Sequence, residues 1–171
     1  QMCIRDSLYT DQRIEKVCKT LHDNGYSVEL IGNDWGGCEK MERPYSFSRI
    51  HLKSASLKTA YFEFNWKLYH ELKKKADKNT ILHANDIDAL LPNYLIAQKL
   101  NIPLVFDSHE IFTEMPAIQN RLSQKFWRMI EGNLVPKIEF MMTESESYAE
   151  WFHEKYKVNP VVVRNIPRKL P

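Results

Sequence analysis

The 171-residue chain has only five glycines, and they form neither the GxGxxG fingerprint of dinucleotide-binding folds nor a GxxxxGK[ST] phosphate loop. Gly36-Gly37 is a bare turn. No GxSxG elbow is present, and Ser108 and Ser145 carry no mark of an activated nucleophile. Cysteine is scarce: Cys3, Cys18 and Cys38 have no CxxC spacing and leave an odd thiol. That argues against a disulfide scaffold or a zinc module and makes the cytosol the default compartment. No apolar run approaches the roughly eighteen residues of a membrane span, and no charged n-region followed by an apolar h-region marks a secretory signal. The formal net charge of +2 names no partner by itself.

The composition is that of one globular domain: 43% hydrophobic, 27% charged and 12% aromatic. Charge is uneven, however. Between Lys40 and Lys75 stand nine basic and three acidic residues, a local excess of six, which leaves −4 on the remainder. One reading is a solvated helix face whose Lys-rich end favours the C-terminal dipole. The other is a basic patch, including Lys67, Lys73, Lys74 and Lys75, that meets phosphates on a substrate or an anionic membrane surface.

Periodicity sets the order of elements. Thr10 is the expected N-cap of a helix through Asn24, with Ile14, Val17, Cys18 and Leu21 on one face and Gly25 closing it. Ser27 to Gly32 reads as a strand ending in a Gly-Asn turn, and Ser46 to Leu52 as a weakly alternating one. Tyr61, Phe64, Leu68 and Leu72 stripe a second helix, flanked by Phe62, Trp66 and Tyr69. Thr80 to Ala84 is the next strand, followed by a helix through Leu100 that Asp88 is placed to cap. Pro103 to Phe106, Phe140 to Thr143 and Val161 to Val163 are short apolar strands, with helices through Trp127 and Ile130 and from Ser145 to Tyr156 between them. Strands apolar throughout, alternating with helices, predict a Rossmann-like α/β fold: a parallel sheet with helices on both faces. A helix comes first where such folds have a strand, and residues 1–7 lack any periodicity. The expectation is a non-native leader at 1–7, a missing first strand, a domain over 8–167 and the start of a linker at 168–171.

Ligands of open parallel sheets bind beyond the carboxyl ends of the strands. The residues there are Asn33-Asp34, His83 to Asp88, Asp107 to Glu110, Thr143 to Ser145 and Arg164-Asn165. His109 is the leading candidate, because it follows an apolar strand in a polar loop, flanked by Asp107 and Glu110. An imidazole so placed hydrogen-bonds a ligand hydroxyl or phosphate, or simply ties Asp107 or a carbonyl. His83, inside a strand, reads as a satisfied core histidine. Asn85 and Asp86 are placed for a polar ligand. Asp86, Asp88, Asp107, His109 and Glu110 are ligand types for zinc, manganese or iron, but their spacing matches no tight signature, and no metal is expected.

The ordered set Asp11 to Lys16, Gly25 to Val28, His83 to Leu90, Leu104 to Glu110, Thr143 to Ala149 and Val163 to Pro167 resembles the amino-terminal domain of bacterial glycosyltransferases of family 4, with two-Rossmann GT-B architecture. The resemblance implies sugar transfer from a nucleotide-sugar co-substrate to a sugar or lipid-linked acceptor of the cell envelope or a polysaccharide. It implies retention at the anomeric carbon, no metal or other cofactor, and no nucleic acid. Retention in that family is often assigned to a front-face path assisted by the donor's own phosphate, so the matching His109 is expected to hydrogen-bond the transferred sugar or the leaving phosphate region rather than act as a base. Asp107 and Glu110 are expected to orient it, Asn85 and Asp86 to line the acceptor cleft, and Asn165 to line the route to the linker. The nucleotide and its paired glutamates belong to a carboxyl-terminal domain, so residues 1–171 alone are expected to be inactive. The implied location is cytoplasmic, with peripheral contact at the inner membrane face. A non-hydrolysing nucleotide-sugar epimerase of the same architecture and a non-enzymatic α/β binding module are the alternatives.

Overall fold

The computed structural model describes residues 11–34, 42–54, 56–116 and 118–166. The expected leader, the missing first strand, the Gly36-Gly37 turn, Cys3, Cys38, Pro167 and the linker at 168–171 lie outside them. Two compact units divide the chain, Gln1–Leu68 and Tyr69–Pro171.

The first unit opens with helix α1, Gln12–Asp23. Its cap is Asp11, not Thr10: the Asp11 carboxylate accepts from the backbone N–H of Arg13 at 2.8 Å and of Ile14 at 3.1 Å. A cap of this kind contributes about 1 kcal/mol by satisfying donors that the first turn leaves open. Gly25, at φ +86°, follows the C-cap Asn24 in the left-handed conformation that glycine adopts without strain. Strands β1, Glu29–Asp34, and β2, Ser46–His51, run parallel, with Leu30 opposite Phe47 and Asn33 opposite Ile50. The expected Gly-Asn turn is therefore strand: Gly32 and Asn33 stay in the ladder because β2 pairs their backbone. Ile14 and Cys18 of α1 close on Leu30 and Tyr45. Burial pushes the Cys18 thiol up to about 11, so it is a packing group rather than a reactive one.

Helix α2, Leu57–Lys75, spans the boundary between the units. Ala60, Phe64, Leu68 and Leu72 form its buried stripe, while Phe62 and Trp66 stand on the outside.

The second unit carries a four-stranded parallel sheet in the order β3-β4-β5-β6: Leu82–Asn85, Leu104–Ser108, Phe140–Thr143 and Val161–Val162. Between the strands lie α3, Ile87–Leu100, α4, Leu122–Leu134, and α5, Glu146–Tyr156. Parallel neighbours need such crossovers, and the helices cover strands whose Ala84, Leu104, Phe106 and Met141 are buried. Helix α3 packs on β3 and β4, and α4 packs against α3. The protein is thus Rossmann-like α/β, with parallel strands in sheets and helices around them. Strand ends differ from expectation by one or two residues: β3 is Leu82–Asn85 and β6 only Val161–Val162. Strand β4 runs two residues past its apolar run, through Asp107 and Ser108, because β5 pairs them with Met142 and Thr143. The segment after it is less irregular than its composition suggests, with a 3-10 turn at Phe112–Glu114.

A buried polar post ties the far end of this unit. Glu131 of α4, 3% exposed, accepts from Thr113 Oγ1 at 2.8 Å and from the Tyr156 hydroxyl at 2.6 Å. Lys155 supplies a cation 3.5 Å away. A buried carboxylate persists only with such partners.

Candidate functional site

Side chains alternate along a strand, so His83 and Asn85 share one face of β3 and Val105 and Asp107 one face of β4. The register sets Asn85 opposite Asp107 and His83 opposite Val105. His83 therefore lies diagonally across from Asp107. His109 leaves the sheet immediately after β4, two residues nearer the strand than expected, so its backbone begins from a fixed point.

The tip of β3 holds the other half of the site. Asp86 occupies the N-cap position of α3, where Asp88 was the expected cap; Asp88 lies inside the first turn. Asp86 makes no side-chain cap bond. Its φ of 60° and ψ of 167° fall where non-glycine residues are rare, a strain of about 1–3 kcal/mol that surrounding contacts must offset. Those contacts point to β4: the Asp86 N–H donates to the Asp107 carbonyl at 2.9 Å, and its carboxylate accepts from the His109 N–H at 3.0 Å.

The imidazole of His109 lies between two carboxylates. Nδ1 is 3.5 Å from Asp86 Oδ2, and Nε2 is 3.5 Å from Asp107 Oδ2. Both approaches are longer than an ordinary N–H···O bond. The two sides differ in access. The Asp107 side chain is fully buried, whereas that of Asp86 is 32% exposed. The Nδ1 edge of His109 therefore faces the more exposed of the two carboxylates.

Three acidic groups surround this core. Asp88 is half-buried. Burial first, then the charge of Asp86, push it up to about 7, against the pull of the Ala89 N–H, its own N–H and His109. Glu110 is raised by burial and then by Asp86, with His109 opposing and Glu144 adding repulsion. Asp88 holds its proton more tightly folded than unfolded, so its stabilising effect is complete below about pH 4 and is lost as pH rises through about 7. Asp88→Asn is expected to stabilise the protein at pH 8 by about 1–2 kcal/mol, allowing for solvent screening, and to change little at pH 4. Urea unfolding at the two pH values checks this; an equal effect at both would discard the titration.

The structure brings Asn85, Asp86, Asp107, His109 and Glu110 together at the adjoining ends of β3 and β4. It does not bring Asn165, which is exposed beyond β6, with β5 between that strand and β4. His83 is not the satisfied core residue expected. Its Nε2 is buried without a hydrogen-bond partner and lies 3.8 Å from Asp107 Oδ2. The legible signal was its spacing: two residues before Asn85, on the face that meets Asp107. Asn33 and Asp34 belong to the first unit. Among the described residues, no three His, Cys, Asp or Glu side chains converge as a metal would need. A cavity of about 280 Å3 beside α5, lined by Ala149, Glu150, His153, Glu154, Asn159 and Pro160, contains none of the expected site residues.

A parallel α/β unit whose titratable side chains gather at the carboxyl ends of its strands has the ligand-binding plan of Rossmann-like enzymes. The family model described as Glycosyltransferase Family 4 matches residues 11–168, and the chain belongs to that family. A search of curated proteins found no match.

Proposed function

We propose that this chain is the amino-terminal, acceptor-side domain of a retaining, hexosyltransferase-type enzyme of GT-B architecture. It would move a sugar from a nucleotide-sugar donor to a cell-envelope or polysaccharide acceptor. The observation that carries this reading is the placement of His109: fixed through its backbone N–H by Asp86, flanked by carboxylates at both ring nitrogens, and approachable from the Asp86 side. An incoming sugar hydroxyl or phosphate oxygen meets the ring at Nδ1, beside the partly exposed Asp86 carboxylate. His109 then orients the sugar and offsets charge on the leaving group, while Asp86, Asp107 and Glu110 hold the ring. Asn85 and Asp86 meet the acceptor, and Asn165 lies on the way to the donor-binding domain. The family assignment favours transfer over epimerisation, and it favours an enzyme over a binding module.

The test is sugar transfer by a polypeptide carrying both halves of the architecture, with the anomeric configuration of the product read by NMR. Transfer with retention is expected. An inverted product, or epimerisation of the nucleotide sugar without transfer, overturns the reading.

A peripheral contact with an anionic membrane at the cytoplasmic face is the second part of the proposal. No helix among the described residues is long and apolar enough to cross a membrane. Of the lysines in the basic stretch, Lys67 is paired with Glu63 and Lys74 with Glu71, which weakens a purely electrostatic contact. What supports the contact is Phe62 and Trp66, 63% and 68% exposed and one helical turn apart in the first unit. Sedimentation with anionic vesicles is expected to fall several-fold in Phe62→Ala/Trp66→Ala. Equal sedimentation with neutral and anionic lipid would remove the membrane from the proposal.

A further inference from the structure

The buried carboxylate of Asp107 is shared. His109 Nε2 approaches its Oδ2 at 3.5 Å and His83 Nε2 approaches the same oxygen at 3.8 Å, the first from the loop after β4 and the second from β3. Asp107 has no exposure at all, and a carboxylate so placed must be compensated by its neighbours. His83 is unlike an ordinary core histidine in one respect: its buried Nε2 has no hydrogen-bond partner, and it faces this carboxylate at 3.8 Å.

We propose that His83 is a positioning residue for His109, acting through the shared oxygen of Asp107. In its neutral form His83 carries its proton on Nε2 and turns it toward Oδ2. That partial compensation keeps Asp107 ionised, and it divides the pull of Asp107 between two rings. His109 then exchanges partners more readily at its Nδ1 edge. With His83 removed, more of the pull of Asp107 falls on His109, and its second proton and its ring are gripped more firmly. The other charged groups facing His109 are Asp86 and Asp88 at the start of α3 and Glu110 beyond β4, with Glu144 after β5 acting on Glu110. None lies on β3, so His83 is the input from that strand.

The proposal deepens the reading of His109 as a sugar-orienting group, but its test needs no donor, acceptor or turnover, so its failure leaves sugar transfer untouched. The six histidines of the full chain can be followed by imidazole 15N NMR across a pH titration. In His83→Phe, which keeps the ring volume and loses the donor, the midpoint of His109 is expected to rise by about one pH unit. In His83→Gln, whose amide restores a donor toward Asp107, it is expected to return most of the way. A His109 midpoint that stays put in His83→Phe, or that moves equally in both variants, overturns the proposal. Should His83→Phe not fold, the wild-type spectrum at pH 8 decides. The Nε2–H tautomer of His83 supports the shared carboxylate, and the Nδ1–H tautomer, which aims a lone pair at Asp107, excludes it.

Discussion

Replacing His109 by Ala in a polypeptide that carries both halves of the architecture is expected to lower turnover about 10²- to 10³-fold, with the acceptor KM changed far less. A loss of that size corresponds to about 2.7–4 kcal/mol of transition-state stabilisation. It is the magnitude expected when a preorganised donor is removed from a site. Preorganisation is what the geometry supplies: the backbone of His109 is held by Asp86 at 3.0 Å, and carboxylates face both ring nitrogens. Because the ring is only 15% exposed, its removal also opens a small cavity. Circular dichroism and urea unfolding must therefore accompany the kinetics. His109→Gln, which retains one donor, is expected to recover part of the loss. Wild-type kinetics in His109→Ala would leave the histidine a structural tie and remove it from the chemistry.

Much of the fold was legible because burial and periodicity coincide in parallel α/β proteins. Leu104-Val105-Phe106 and Phe140-Met141-Met142-Thr143 are apolar without alternation, which only a covered sheet explains. The stripe of Phe64, Leu68 and Leu72 on α2 follows directly from a 3.6-residue period. Strand ends were less legible for a physical reason. An apolar run reports side-chain burial, whereas strand pairing is a property of the backbone, so polar residues at a strand end still join the ladder. Gly32 and Asn33 on β1 and Asp107 and Ser108 on β4 all do so. The cap of α1 went to Asp11 rather than Thr10 because capping depends on where the chain turns, which residue type alone does not fix.

The candidate site divides along the same line. Its location at the carboxyl ends of the strands was readable from topology, and four of the residues expected around His109 are gathered there. The partners within it were not readable. Glu110 is adjacent to His109 in sequence, yet Asp86, 23 positions away, accepts its N–H. Register accounts for the difference: once Asn85 pairs with Asp107, Asp86 leaves β3 at the same edge where the chain leaves β4 through Ser108 and His109. Asp86 itself adopts a backbone conformation that nothing in its residue type announces, and it is stabilised there by bonds to two residues of the neighbouring strand and loop. The place of His83 depends on the register, which sets it diagonally across from a buried carboxylate.

Asp107 is where stability and function meet, and its replacement is the second large effect expected. Asp107→Ala removes a fully buried carboxylate on which His109 and His83 converge, and it leaves a void between two imidazole edges. Breaking a buried charged pair by deleting one partner costs about 3–5 kcal/mol, and a loss of about 3 kcal/mol is expected here. Asp107→Asn separates the two contributions, since it keeps the volume and loses the charge. It is expected to cost at least about 1 kcal/mol, the net worth of an ordinary hydrogen bond, and less than Asp107→Ala, which adds a void. Urea unfolding of wild type and both variants reads this directly. If Asp107→Asn is as stable as the wild type, the carboxylate serves packing alone, and the clasp around His109 loses its basis.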